Sequence, residues 1–215
     1  MLLIAHRGDK TNYPENTIEA FRSALEKGSG GIEFDVQVEN GEPIIVHDYI
    51  RNNSQPYPRL SQVLEEFGSR THLEIEIKSF KVEEFKVISK TVKNFSPKDM
   101  EITSSIHPLI PHIRETFPKT YIGEIFPDKL FENWMTEEFL EMFFEGYLKL
   151  TGANVIHLPS FLFQASVIQY LKNRGYLLHH HLSTDEQGEY NKLINLEIDF
   201  ATFDNINLLE KIEIR

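Results

Sequence analysis

Eight short apolar runs recur along this chain, each followed by a stretch with helical spacing, and that alternation constrains the fold more than any other feature. The runs are LLIAHR (2–7), GIEFDVQV (31–38), HLEIEIK (72–78), MEITSS (100–105), TYIGEIF (120–126), NVIHLP (154–159), YLLHHHL (176–182) and IDFATFD (198–204). Between them lie amphipathic segments such as NTIEAFRSALEKG, VEEFKVISKTVKNF and TEEFLEMFFEGYLKL, several of the helical candidates ending in the Gly of a C-cap. Repeated strand–helix units within 215 residues predict an α/β fold, a TIM-type (β/α)8 barrel, with an open doubly wound sheet as the second choice. One domain spanning 1–215 is expected. EPIIVHD (42–48) is an extra extended piece, joined to the second run through the turn signal ENGE.

Composition narrows the function. Forty per cent hydrophobic residues, with 16 Phe and 8 Tyr, supply a sizeable core, and no segment is long and apolar enough for stable membrane insertion. A formal net charge of −11 without a Lys/Arg cluster argues against a nucleic-acid partner. An anionic substrate then needs a local cation. The absence of Cys removes disulfides, thiolate catalysis and zinc–thiolate sites. The first residues, MLLIAHRG, have no basic n-region or cleavage site, so a cytoplasmic location is expected.

A barrel places its active site where strands end and the following loops begin. The strand ends richest in ionisable groups are His6-Arg7, the second run with Glu33 and Asp35, His47-Asp48 after the extra piece, and Glu76 with Lys78. In GIEFDVQV, Ile32, Phe34 and Val36 share one face while Glu33, Asp35 and Gln37 share the other, and HLEIEIK repeats the pattern with Glu74, Glu76 and Lys78. If the apolar faces pack on helices, the acids point into the barrel, where unpaired charge is expensive. A divalent cation resolves this, and hard oxygen ligands favour Mg²⁺ or Ca²⁺. The competing reading is two amphipathic strands with solvated acids. His6 and His47 are a candidate pair for proton transfer. Arg7 and Lys78 are candidate phosphate donors, or salt-bridge partners of the same acids.

These residues resemble the glycerophosphodiester phosphodiesterases of the phospholipase C-like superfamily. The resemblance rests on HRG (6–8), PENT (14–17), AFRSALEKG (20–28), IEFDV (32–36), IIVHD (44–48), PRLSQVL (58–64) and IEIK (75–78), with weaker matches at TSS (103–105) and IDFATFDN (198–205). It implies a TIM-type barrel that uses one divalent cation, Mg²⁺ or Ca²⁺, to hydrolyse small-molecule glycerophosphodiesters to glycerol 3-phosphate and an alcohol. Carried over position by position, it implies Glu33, Asp35 and Glu76 as metal ligands and His6 and His47 as the acid/base pair. Arg7 and Lys78 would contact phosphate, and Glu15 would line the site, positioning Arg7 or the metal shell.

The chain departs from that pattern in places. Only YIRNNSQPYP separates His47-Asp48 from the next helix, where the family carries a longer cap. His180-His181-Leu182-Ser183 replaces a Trp-containing stretch, Glu74 stands where the family often has Asn, and Phe203-Asp204 replaces Thr-Asp. Alternation lets only His179 and His181 share a ligand set, with no third ligand evident. The remaining alternatives are a lysophospholipase D or sphingomyelinase D type activity, or a catalytically silent barrel that binds phosphorylated ligands.

Overall fold

Each apolar run forms a strand, and most of the amphipathic segments form the helices between them. The computed structural model describes residues 1–49, 56–182 and 187–212. Its strands are β1 (Leu2–His6), β2 (Gly31–Glu39), β3 (Glu42–Ile45), β4 (His72–Ile77), β5 (Met100–Ser104), β6 (Tyr121–Ile125), β7 (Val155–Leu158), β8 (Leu177–His181) and β9 (Phe200–Phe203). Eight of them are parallel and closed: β1 pairs β9 on one side, Ile4 opposite Thr202, and β2 on the other, Ala5 opposite Ile32. β3 runs antiparallel on the rim, Val36 opposite Ile45, turned back by Asn40-Gly41. Closure removes every free edge from the parallel sheet.

The helices are α1 (Ile18–Glu26), α2 (Leu60–Phe67), α3 (Val82–Phe95), α4 (Ile110–Thr116), α5 (Glu137–Thr151), α6 (Ala165–Asn173), α7 (Gln187–Asn195) and a short α8 (Leu208–Lys211). Thr17 caps α1 by accepting from the Ala20 amide. HPLIPHIRETF does not form one helix. His107–Leu109 is a 3₁₀ turn ahead of α4, in keeping with prolines at 108 and 111 that remove two amide donors. Residues 50–55 of the short connection after His47-Asp48, and Ser183, lie outside the described residues.

Alternation within the strands sets what faces where. Ile32, Phe34 and Val36 are buried with Phe21, Leu60, Val63 and Phe67 of α1 and α2, while Glu33, Asp35 and Gln37 are buried on the opposite face. The register carries this face around the barrel: Glu74 lies opposite Glu101, Glu76 opposite Thr103, His157 opposite His179, and His181 opposite Thr202. The interior is therefore polar over much of its height, unlike the branched aliphatic filling usual for such barrels. Its base is aromatic, with Phe200 stacked on His72 and edge-on to Tyr121.

The turn after β1 is clamped to α1. Asp9, fully buried, accepts hydrogen bonds from Ser23 at 2.6 Å and Lys27 at 2.9 Å, and its amide donates to the Ala20 carbonyl. Gly8, at φ +80°, lies so close to α1 that a Cβ would meet the Ala20 carbonyl carbon at 2.7 Å. Gly8→Ala is expected to lower unfolding free energy by about 2 kcal/mol, seen as a lower urea midpoint at unchanged slope. An unchanged midpoint would show that the turn is not held against the helix.

Candidate active site

The C-terminal ends of β1, β2, β4, β6, β7, β8 and β9 converge on a cavity of about 300 Å³, lined among others by His6, Glu33, Glu76, Phe126, His157 and His181. Glu33, Asp35 and Glu76 are all buried, and each offers a carboxylate oxygen within 4.8 Å of the others. Burial, and after it the charges of Asp35 and Glu76, push the Glu33 carboxyl well above its ordinary pKa. Burial likewise raises Glu76, against the opposing charge of Lys78.

Two cations face these acids. Arg7, at φ +59°, directs its amide to Glu33 Oε2 at 2.9 Å, its Nε to within 3.0 Å of Asp35 Oδ2, and its Nη1 to Glu15 Oε1 at 3.0 Å. Lys78 Nζ lies 2.7 Å from Glu76 Oε1 and 3.5 Å from Asp35 Oδ1. Burial alone would lower both cations, but the surrounding carboxylates raise them. Asn16 Nδ2 donates to Asp35 Oδ2 at 2.9 Å, which ties the PENT turn to β2. Even so, Glu33 Oε1 and Asp35 Oδ1 are buried without a hydrogen-bond partner among the described residues. An all-oxygen donor set with two such orphaned atoms fits a hard divalent cation.

His6 stands at the cavity wall with Nδ1 2.7 Å from Asp204 Oδ1 and Nε2 3.8 Å from Glu33 Oε2. Burial lowers its pKa to about 4, against the Asp204 hydrogen bond. Asp204 also takes Lys10 Nζ at 2.7 Å and has His181 Nε2 at 3.6 Å. Burial would raise its carboxyl, but the His181, His6 and Lys10 contacts hold it far below the usual carboxylate range. His47 is set apart: Nδ1 lies 2.8 Å from Asp48 Oδ1, and its side chain lines a neighbouring cavity with Glu15 and Asn16. Gln37 fixes that segment by donating to the Val46 and His47 carbonyls.

Arg7, Glu15, Glu33, Asp35, Glu76 and Lys78 thus form one contiguous network, with His6 at its edge. Asp204 and Asn16 are absent from the site anticipated from sequence. Asp204 shares the inward face with Thr202, while Phe203 between them is buried among apolar residues, so the Phe-Asp departure leaves the acid in place. Only closure of β9 onto β1 brings it to His6. His179 and His181 do not share a ligand set, since His181 joins His6 and Asp204 while His179 joins Glu74 and His157 one layer below. An aromatic pair is present at the rim nonetheless: Tyr49 stacks on Phe80 at 5.0 Å and donates its hydroxyl to the Lys78 carbonyl.

Residues 6–123 match the model of the Glycerophosphoryl diester phosphodiesterase family. A glycerophosphodiester phosphodiesterase of Caldanaerobacter subterraneus subsp. tengcongensis is 31% identical over 170 residues, 62% of this chain and 70% of that protein. One of Bacillus altitudinis is 53% identical over 47 residues, 21% of this chain and 19% of its own. The fold matches the crystal structure of a glycerophosphodiester phosphodiesterase from Thermotoga maritima with a TM-score of 0.76 at 23% identity, covering 98% of this chain and 97% of that one. It matches an Oleispira antarctica phosphodiesterase, solved in complex with the product sn-glycerol-3-phosphate, with a TM-score of 0.81 at 18% identity, covering 98% and 96%. With just over half of the chain matched by the family model and a curated relative aligned over most of its length, the chain belongs to the glycerophosphoryl diester phosphodiesterase family, enzymes that hydrolyse glycerophosphodiesters.

Proposed function

We propose that this enzyme performs the hydrolysis at the Glu33–Asp35–Glu76 cluster, in a cation-dependent reaction that yields glycerol 3-phosphate and an alcohol. The observation that carries the reading is the set of three converging buried carboxylates, two of them with unpartnered oxygens, beside a cavity that holds an imidazole. The Oleispira antarctica relative, with sn-glycerol-3-phosphate as its product, supports the choice of product.

Glu33, Asp35 and Glu76 would hold Mg²⁺ or Ca²⁺. When bound, the ion supplies a Lewis acid for the non-bridging phosphoryl oxygens. Arg7 and Lys78 are the donors for the remaining phosphate charge, both kept cationic by the acids around them. Glu15, on the exposed side of Arg7, holds the guanidinium in orientation. His6 and His47 are the general acid/base pair: one removes a proton from water or from the glycerol 2-hydroxyl, the other protonates the leaving alcohol. Asp204 at Nδ1 of His6 keeps Nε2 turned toward the cavity, the way a carboxylate orients a catalytic imidazole. His47 has Asp48 in the same relation.

A second reading, a lysophospholipase D type activity, is favoured by one feature. Ile125, Phe126, Pro127 and Leu158 give the cavity an apolar wall on the side away from β2, suited to a leaving part with an acyl chain.

The test is glycerol 3-phosphate release from glycerophosphocholine and glycerophosphoethanolamine with Mg²⁺ or Ca²⁺, with lysophosphatidylcholine run in parallel. His6→Ala and His47→Ala are each expected to reduce kcat by about 10²–10⁴-fold, and Asp204→Asn by more than about tenfold at little change in KM. Full activity in chelator, or in either histidine variant, would contradict the proposal.

The raised acids also predict how stability depends on the ion. A carboxyl whose folded-state pKa is raised stabilises the metal-free fold at low pH, and that contribution is lost as the pH rises through the raised value. His6, lowered from 6.5 to about 4, acts oppositely and only below 6.5. As the pH rises through the raised carboxyl values, the metal-free Tm should therefore fall, and the increase in Tm on adding Mg²⁺ or Ca²⁺ should grow. Thermal scans with and without chelator check both, and a cation effect that shrinks toward alkaline pH would be contradictory.

A further inference from the structure

One layer below the proposed catalytic acids lies a second cluster with different chemistry. Glu74 of β4, His157 of β7 and His179 of β8 are inside the barrel, with Glu101 of β5 beside them. Glu101 is fully buried, and its two oxygens face two imidazoles: Oε1 lies 2.8 Å from His157 Nε2, and Oε2 lies 3.4 Å from His179 Nδ1. The rings stack with centroids 3.9 Å apart. With their N–H groups turned to one carboxylate, both imidazoles present the opposite nitrogen, His157 Nδ1 and His179 Nε2, as a lone pair.

Both nitrogens lie near another acid. His157 Nδ1 lies 3.8 Å from Glu74 Oε1, and His179 Nε2 lies 3.6 Å from Glu74 Oε2. These separations are too long for hydrogen bonds, and Glu74 Oε2 is buried with no hydrogen-bond partner among the described residues. They do suit a shared ion, because two donors each about 2.1 Å from a tetrahedral centre stand about 3.4 Å apart. Thr202 Oγ1 lies 2.7 Å from His179 Nε2, so an ion there displaces one hydroxyl hydrogen bond and finds another oxygen beside it. Glu74, His157 and Thr202 also line the floor of the mouth cavity, which supplies an entry path.

Gly123 leaves room for this arrangement. A Cβ at that position would overlap Glu101 Oε1 and come within 2.7 Å of His157 Nε2. A glycine on an interior strand, two imidazoles oriented by one carboxylate and an orphaned carboxylate oxygen beside their opposite nitrogens are three coordinated features of one built site.

We infer that Glu74, His157 and His179, oriented by Glu101, form a second cation site that takes a first-row transition ion of the Zn²⁺ class and braces β4, β7 and β8 from inside the barrel. Two imidazoles with a carboxylate select borderline ions, whereas the all-oxygen set above selects hard ones. The inference stands whether or not the Glu33–Asp35–Glu76 cluster binds a metal.

The full chain, stripped with chelator, is titrated with Co²⁺ in excess Mg²⁺, following the visible d–d bands, and Zn²⁺ is then added in competition. Wild-type protein and Asp35→Asn, which disables the upper cluster, should each bind one Co²⁺ with the intense bands of four-coordinate geometry, displaced by Zn²⁺. Glu74→Gln and His157→Gln should lose that binding, Glu101→Gln should weaken it about 10–100-fold, and Zn²⁺ should raise the Tm of Asp35→Asn but not of the double variant Asp35→Asn with Glu74→Gln. Circular dichroism identifies any variant that fails to fold, and the two ligand variants test the site independently. Absence of four-coordinate Co²⁺ in wild type, or equal binding by folded Glu74→Gln and His157→Gln, would overturn the inference.

Discussion

Five carboxylates, Glu33, Asp35, Glu74, Glu76 and Glu101, are buried on the inward face of the barrel strands, and the rest of the molecule is organised around making that tolerable. An isolated buried carboxylate is penalised heavily by desolvation, and like charges within a few ångströms add to the penalty. Relief is graded along the barrel axis. Glu101 is matched by two imidazoles and held far below its ordinary pKa by them despite its burial. Asp35 and Glu76 are matched by Arg7, Lys78 and Asn16. Glu33 and Glu74 retain orphaned oxygens, and burial raises both. The orphaned oxygens of Glu33 and Asp35 in one layer, and of Glu74 in the other, mark the two places where a cation fits.

That arrangement explains why the polar chemistry is concentrated so near the start of the chain. β1 delivers His6 and Arg7 to the mouth, the Gly8 turn and the buried Asp9 lock the loop on α1, and Asn16 returns from the PENT turn to hold Asp35. Arg7 adopts a positive φ in the same turn, a conformation that persists only where the surroundings over-determine it. Here its amide and Nη1 donate hydrogen bonds to Glu33 and Glu15, and its Nε lies 3.0 Å from Asp35 as an ion pair. The strain and the crowding of charge sit together at the site.

Much of this is legible in the sequence because the signals are local. Period-two alternation in GIEFDVQV and HLEIEIK separates core from interior, and eight strand–helix units leave a closed barrel as the economical arrangement. Arg7, Glu33, Asp35, Glu76 and Lys78 lie at consecutive strand ends and are found together. The residues that escape notice are those joined by closure or by register between distant strands. Asp204 meets His6 across 198 positions, and Glu101 meets His157 across 56 and His179 across 78. His179-His180-His181 reads as a single cluster in one dimension, yet the pleat buries His180 on the outer face and assigns the other two to different layers.

In the proposed reaction the unpartnered oxygens of Glu33 and Asp35, with Glu76, take a cation that shares the substrate phosphate with Arg7 and Lys78. A crystal grown with Mn²⁺ and glycerol 3-phosphate tests it most directly through the anomalous signal. The expected result is an ion coordinated by all three carboxylates, with a phosphate oxygen on the ion and others on Arg7 and Lys78. An ordered glycerol 3-phosphate in the cavity with no ion on those acids, or with its phosphate away from both cations, would contradict it.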